Sequence, residues 1–149
     1  MSAARGYPRS MQNAHVSRNA EGVLACFDLS EAEVAAVAHA VNVSRTEQFR
    51  NAELSTDDVV AMRELTALAD QLTALAGHGS ACTVAMSPAR LVALRDTLAA
   101  FVDHRDEAGF TREEDREAYA VALSLAAPLG DLAADTLRAA LDAAEHAGC

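Results

Sequence analysis

Five histidines and three cysteines are the residues of this 149-residue chain most readily turned to catalysis or metal binding, because imidazole titrates near neutrality and a thiolate is both nucleophile and ligand. Their spacing argues against either use. No two histidines stand three or four positions apart, the separation that points two ligands to one side of a helix, and no Glu-x-x-His occurs, so no metal site is expected. His15 falls in a polar N-terminal segment, and His39 lies opposite an apolar stripe, on a face expected to meet water. His78 sits between Gly77 and Gly79. His104 and His146 belong to the last turns of expected helices, where a cation complements the dipole. Cys26 and Cys82 lie in two short apolar runs, where a free cysteine acts as a small buried hydrophobe, and Cys149 ends the chain. His104, Arg105 and Asp106 spell the opening of a kinase catalytic loop, but the Asn required five positions past the Asp is missing, as is any glycine-rich loop. No P-loop, dinucleotide fingerprint or Gly-x-Ser-x-Gly elbow is present, so no cofactor is expected.

The strongest local signal is charge. Asp103, Asp106, Glu107, Glu113, Glu114, Asp115 and Glu117 stand against Arg105, Arg112 and Arg116, a net −4 within fifteen residues. The cluster straddles a helix end, a loop and a helix start. Such a patch can steer and hold a basic protein surface. A plainer explanation is that acids in a first turn favour the dipole and pair with neighbouring Arg in water. A smaller grouping, Arg45, Glu47, Phe49, Arg50 and Glu53, places an aromatic among opposite charges, and Phe49 is expected to anchor a connector to the core.

Composition sets the frame for these residues. With 51% hydrophobic and 23% charged residues, the chain is that of an ordinary globular domain. It is long enough to need neither metal nor disulfides for stability. The net charge of −10 argues against a nucleic-acid binder, which requires a basic face. Lys, Ile and Trp are absent and all 12 basic residues are Arg, a bias that resembles high-GC bacterial codon usage. An odd number of cysteines and the lack of a secretory leader predict a reducing, cytoplasmic setting. The longest uncharged run, Gln71 to Ala89, holds Gly77, Gly79 and Pro88 and does not read as a membrane span.

The elements that must position these groups follow from periodicity and caps. Residues 1–20 carry three Arg and no acid, whereas residues 21–149 carry nine Arg against 22 acids. The first segment has too little apolar content to offset its ordering entropy and is expected to be a disordered basic tail. Its composition also fits a transit peptide, a translated extension before Met11, or a basic arm folded onto the acidic body. Residues 21–149 are expected to form a single helical domain. A short run from Val23 to Phe27 precedes a capping box, Ser30 with Glu33, and a helix bearing Val34, Val37 and Val41. Residues 43–54 read as a connector. Ser55 caps a helix with the stripe Met62, Leu65, Leu68, Leu72 and Leu75, ended by Gly77. The run Cys82 to Met86 leads into Ser87 and Pro88, the start of a third helix with Leu91, Leu94, Leu98, Phe101 and Val102 inward. Thr111 and Glu114 form a further capping box opening a fourth helix, charge-free from Ala118 to Ala127. Pro128 and Gly130 are expected to break it, and a fifth helix then faces inward with Ala133, Leu137, Ala140, Leu141 and Ala144.

The expected fold is therefore mainly α, about five helices in a compact bundle with a two-stranded antiparallel pair, all-α being the alternative. The expected function is a non-enzymatic acidic interaction module of the inhibitor or antitoxin kind. It would bind a basic protein surface through Asp103, Asp106, Glu107, Glu113, Glu114, Asp115 and Glu117, as a homodimer, without nucleic acid or membrane. The competing reading is a small enzyme or ligand-binding protein using Asp103, His104 and Asp106 around a helical pocket.

Overall fold

The computed structural model describes residues 11–20, 22–51, 56–110 and 112–147. In chain order the elements are β1 (Gln12–Asn19), β2 (Gly22–Leu29), α1 (Glu31–Asn51), α2 (Thr56–Ala76), β3 (Cys82–Met86), α3 (Pro88–Ala108) and α4 (Glu113–Ala147). Among the described residues the chain is mostly helical, with four helices rather than five and three strands rather than two. The strands form one antiparallel sheet in the order β1-β2-β3.

The pairing of the two apolar runs is as expected. Ala25, Phe27 and Leu29 of β2 lie opposite Met86, Val84 and Cys82 of β3. Alternation then turns Ala25, Phe27, Leu29, Val84 and Met86 into the core. The same register pairs Cys26 with Ala85, which puts Cys26 and Cys82 on opposite faces; both are free thiols. On the outer face Asp28 ties three strands together. Asn13 Nδ2 donates to one carboxylate oxygen at 2.6 Å and Thr83 Oγ1 to the other at 2.6 Å. These bonds, Thr83 first, hold the Asp28 carboxyl below its ordinary pKa.

β1 corrects the expectation that residues 1–20 are a disordered tail, as far as its residues are described; residues 1–10 lie outside the described part. Its side chains are mostly exposed, so bookkeeping of buried apolar surface gives no reason for order. What orders it is the backbone ladder along β2, which would otherwise be an unpaired edge. Met11 is buried, and Arg18 reaches Asp142 of α4 at 3.8 Å, an arrangement that fits a basic arm laid on the acidic body.

α1 and α3 start where their caps predict. Ser30 Oγ accepts from Glu33 N at 3.2 Å while Glu33 Oε1 accepts from Ser30 N at 2.8 Å, a reciprocal capping box. Ser87 Oγ accepts from Arg90 N, with Pro88 in the first turn of α3. Ser55 and Thr111, the other two expected caps, lie outside the described residues. Leu65, Leu68 and Leu72 of α2 and Leu91, Leu94, Leu98 and Phe101 of α3 are buried as their stripes require.

Two helical boundaries, in α1 and α4, differ from the pattern-based expectation. α1 runs on to Asn51, through the stretch expected as a connector, and exposes Phe49 at 45% instead of anchoring it. Long helices continue through polar residues when one face stays packed, and here Val41 and Ser44 remain buried. α3 continues to Ala108 and stops at Gly109, whose φ of 80° suits glycine and whose N–H bonds Arg105 O at 2.8 Å. α4 passes unbroken through Pro128. An interior proline costs about 3 kcal/mol, but the buried face extends from Ala118 through Ala122, Leu125, Leu129, Leu132 and Ala133 to Ala139. Each of those large side chains contributes roughly 1.5–3 kcal/mol by burial, so tertiary packing wins. By length and composition α4 is also the one described helix apolar enough to cross a bilayer, yet this face is part of the core.

Candidate functional site

The acidic cluster lies where α3 turns into α4, and the structure divides it into inward and outward members. Asp115, on the first turn of α4, points inward and is only 4% exposed. Its Oδ1 stands 2.8 Å from His39 Nε2 on α1, and its Oδ2 stands 3.6 Å from an Arg105 guanidinium nitrogen on α3. An ionised carboxylate only accepts, so Nε2–H of His39 is the donor. That hydrogen bond, working against burial, holds the Asp115 carboxyl below its ordinary pKa, with the charges of His39 and Arg105 acting in the same direction. Arg105, whose side chain is nine-tenths buried, also reaches Glu47 of α1 at 3.5 Å and lies over the Phe101 ring at 5.7 Å. Glu47 in turn pairs with His104. One ionic network thus joins α1, α3 and α4.

His39 therefore does not lie on a solvated face. Its side chain is 20% exposed and is packed between Asp115 and Glu114, the latter 3.8 Å from Nδ1. The α1 pattern concealed this because Ala36, Ala38 and Ala40 are buried along with the valines. Alanine carries little contrast between a wet and a dry face, so the stripe of three valines underestimated how much of the helix is enclosed.

Around the corner, Asp106 accepts a hydrogen bond from the Tyr119 hydroxyl, which raises the phenol's pKa. Phe110 meets Tyr119 edge to face, with ring centroids 5.0 Å apart, and Arg116 lies over the Phe110 ring at 5.2 Å. Arg112 pairs with Glu114 and Arg116 with Glu113, all four well exposed. Asp103, Glu107 and Glu117 are exposed and make no ion pair among the described residues. Of the seven expected partner-binding acids, Asp115 is thus withdrawn into the network and Asp106 and Glu114 are engaged at its edge, while Asp103, Glu107, Glu113 and Glu117 face water.

The chemistry open to this arrangement is limited. An Asp–His pair is the orienting half of a general base, but the second nitrogen of His39 faces a carboxylate and not a hydroxyl or thiol. Asp103, His104 and Asp106 do not converge. His104 turns to Glu47 and Asp106 to Tyr119, while Asp103 borders an apolar groove of about 250 Å³ between α3 and α4, lined by Leu98, Val102, Leu123 and Ala126. Among the described residues no group of three His, Cys, Asp or Glu side chains is placed to hold a metal ion. The His39–Asp115 contact, 76 residues apart in sequence, had one signal in the sequence: His39 is the sole titratable side chain between Glu33 and Arg45.

Comparison with known proteins adds no assignment: no protein-family model, curated protein or solved structure matches this chain.

Proposed function

We propose that the protein is a non-enzymatic, cytoplasmic interaction module that binds a basic protein surface through the outward acids of the α3–α4 corner. The observation that carries this reading is the division of labour within the cluster. Asp115 and Glu47 are tied to His39, Arg105 and His104 and brace the corner from within, and Asp103, Glu107 and Glu117 project from that braced frame with no described ion-pair partner. Fixed charges of one sign on a rigid support lose little entropy on binding and steer oppositely charged partners during encounter.

The test is affinity capture from a bacterial lysate with two triple variants of equal net charge. Asp103→Lys, Glu107→Lys and Glu117→Lys change the corner, whereas Asp70→Lys, Asp96→Lys and Asp135→Lys change exposed acids elsewhere. A basic protein should be retained at low salt by the parent and by the second variant and lost by the first. Equal loss from both variants would reduce the effect to net charge, and capture unaffected by either would refute the proposal.

A further inference from the structure

The outer face of α4 carries a second pattern, unrelated to the acids. From Ala120 to Ala144 small and apolar residues recur at strict alternating spacings of three and four, the a/d repeat of a coiled coil. The a positions are Ala120, Ala127, Ala134 and Leu141, and the d positions are Leu123, Gly130, Leu137 and Ala144. None of these eight faces the protein's own core. Leu123, Leu137 and Leu141 are 50%, 41% and 66% exposed, the four alanines are exposed, and Gly130 is half-buried. The core is served by a different set of positions on the same helix, Leu125, Leu129 and Leu132 among them. α4 therefore has two apolar faces, and the described residues cover one.

We infer that the uncovered face pairs with the same face of a second copy of this chain, the two α4 helices running antiparallel about a twofold axis at the level of Leu132. In an antiparallel pair each a residue shares a layer with a d residue of its partner, and the seam is complementary to itself in that sense. Leu123 meets Leu141 of the second copy and Ala127 meets Leu137. Gly130 meets Ala134 at the centre, and Ala120 meets Ala144 at the ends. The smallest side chains thus lie beside the axis, where the backbones approach most closely. Asp131, Arg138 and Glu145 occupy e positions along one border, an edge suited to water and not to the interior of a bilayer.

Charge decides the direction. In a parallel pair the two α3–α4 corners, each a net −4, would stand side by side. In the antiparallel pair, at 1.5 Å per residue, Asp115 and its copy lie roughly 50 Å apart, far beyond the Debye length of about 8 Å. The seam is about 36 Å long and about 10 Å wide, which puts the interface below ~1,200 Å² in total, the size of weak and transient contacts.

Sedimentation over roughly 1 μM to 1 mM tests this, a span suited to a weak, transient pair. The expected result is a monomer–dimer equilibrium in the parent that Leu141→Glu shifts to monomer throughout, with unchanged circular dichroism because Leu141 is already exposed. Val60→Glu, an equally exposed position on α2, should leave the dimer intact. Orientation is read by disulfide capture above the parent's background. The double variant Ala127→Cys with Leu137→Cys should cross-link and Ala127→Cys alone should not. A parent that is monomeric at the highest concentration, or a dimer that survives Leu141→Glu, would overturn the inference. Efficient cross-linking by Ala127→Cys alone would overturn the antiparallel arrangement. Flotation of monomeric chain with vesicles of mixed zwitterionic and anionic phospholipid, abolished by Leu141→Glu, would assign the face to a membrane instead. The seam variants leave the outward acids untouched, so this inference and the partner-binding reading fail separately.

Discussion

Removing the Asp115 carboxylate is the sharpest perturbation of the α3–α4 corner. In Asp115→Ala, His39 Nε2 loses its acceptor at 2.8 Å, and Arg105, nine-tenths buried, keeps Glu47 at 3.5 Å as its remaining partner in the network. Breaking one side of a buried ion pair costs about 3–5 kcal/mol, and the surviving Glu47 contact places this case near ~3 kcal/mol. For a chain of this length that is a fall of roughly 6–12 °C in melting midpoint, at about 2–4 °C per kcal/mol. The assay is urea unfolding followed by circular dichroism, with Asp103→Ala as the exposed control, expected within about 0.5 kcal/mol of the parent. Acidity supplies a second arm. A carboxyl whose folded pKa lies below its unfolded one contributes fully above the unfolded value, ordinarily 3.8, and loses that contribution as pH falls through the folded value. The advantage of the parent over Asp115→Asn should therefore shrink as pH falls below the ordinary carboxylate range. Equal, small effects for Asp115→Ala and Asp103→Ala would refute the description of the cluster as divided.

Other outcomes follow from the same packing. His39→Ala should cost about 1–3 kcal/mol in urea unfolding, since it removes the donor 2.8 Å from the Asp115 carboxylate; a neutral result would return His39 to the solvated face expected from the valine stripe. Leu72→Ala and Leu98→Ala, at 0% and 3% exposure, should each cost about 2–5 kcal/mol, and smaller losses would mean that the helix faces are misassigned. Pro128→Ala should raise stability by about 1–3 kcal/mol by restoring a main-chain hydrogen bond inside α4. A destabilised variant would mean that the proline's packing matters more than the bond it removes.

The parts of this fold that could be read from sequence are those fixed by neighbours in the chain. The Ser30–Glu33 box, the Ser87–Pro88 start and the stripes of α2 and α3 are local, and each falls where its spacing predicts. The antiparallel β2–β3 pair was inferable because a lone strand has no partner for its backbone. What escaped is non-local or rests on alanine. β1 is ordered by an edge that its own residues do not announce. Asp115 looks like a dipole-favouring acid until His39 and Arg105, contributed by other helices, arrive beside it. On α4 the leucines at 137 and 141 were expected to face the core, whereas the core takes Leu132, Ala133, Thr136 and Ala139; with alanine at nearly every turn, both faces are apolar and periodicity alone does not choose between them.

Amide NMR spectra recorded while an arginine-rich peptide is titrated into the protein show whether the α3–α4 corner binds a basic partner. The largest shifts are expected at Asp103, Glu107, Glu113 and Glu117, diminishing with added salt, with the His39 ring signals unmoved because the inner network does not open. Shifts spread evenly over every exposed acid, or centred away from the α3–α4 corner, would contradict binding there.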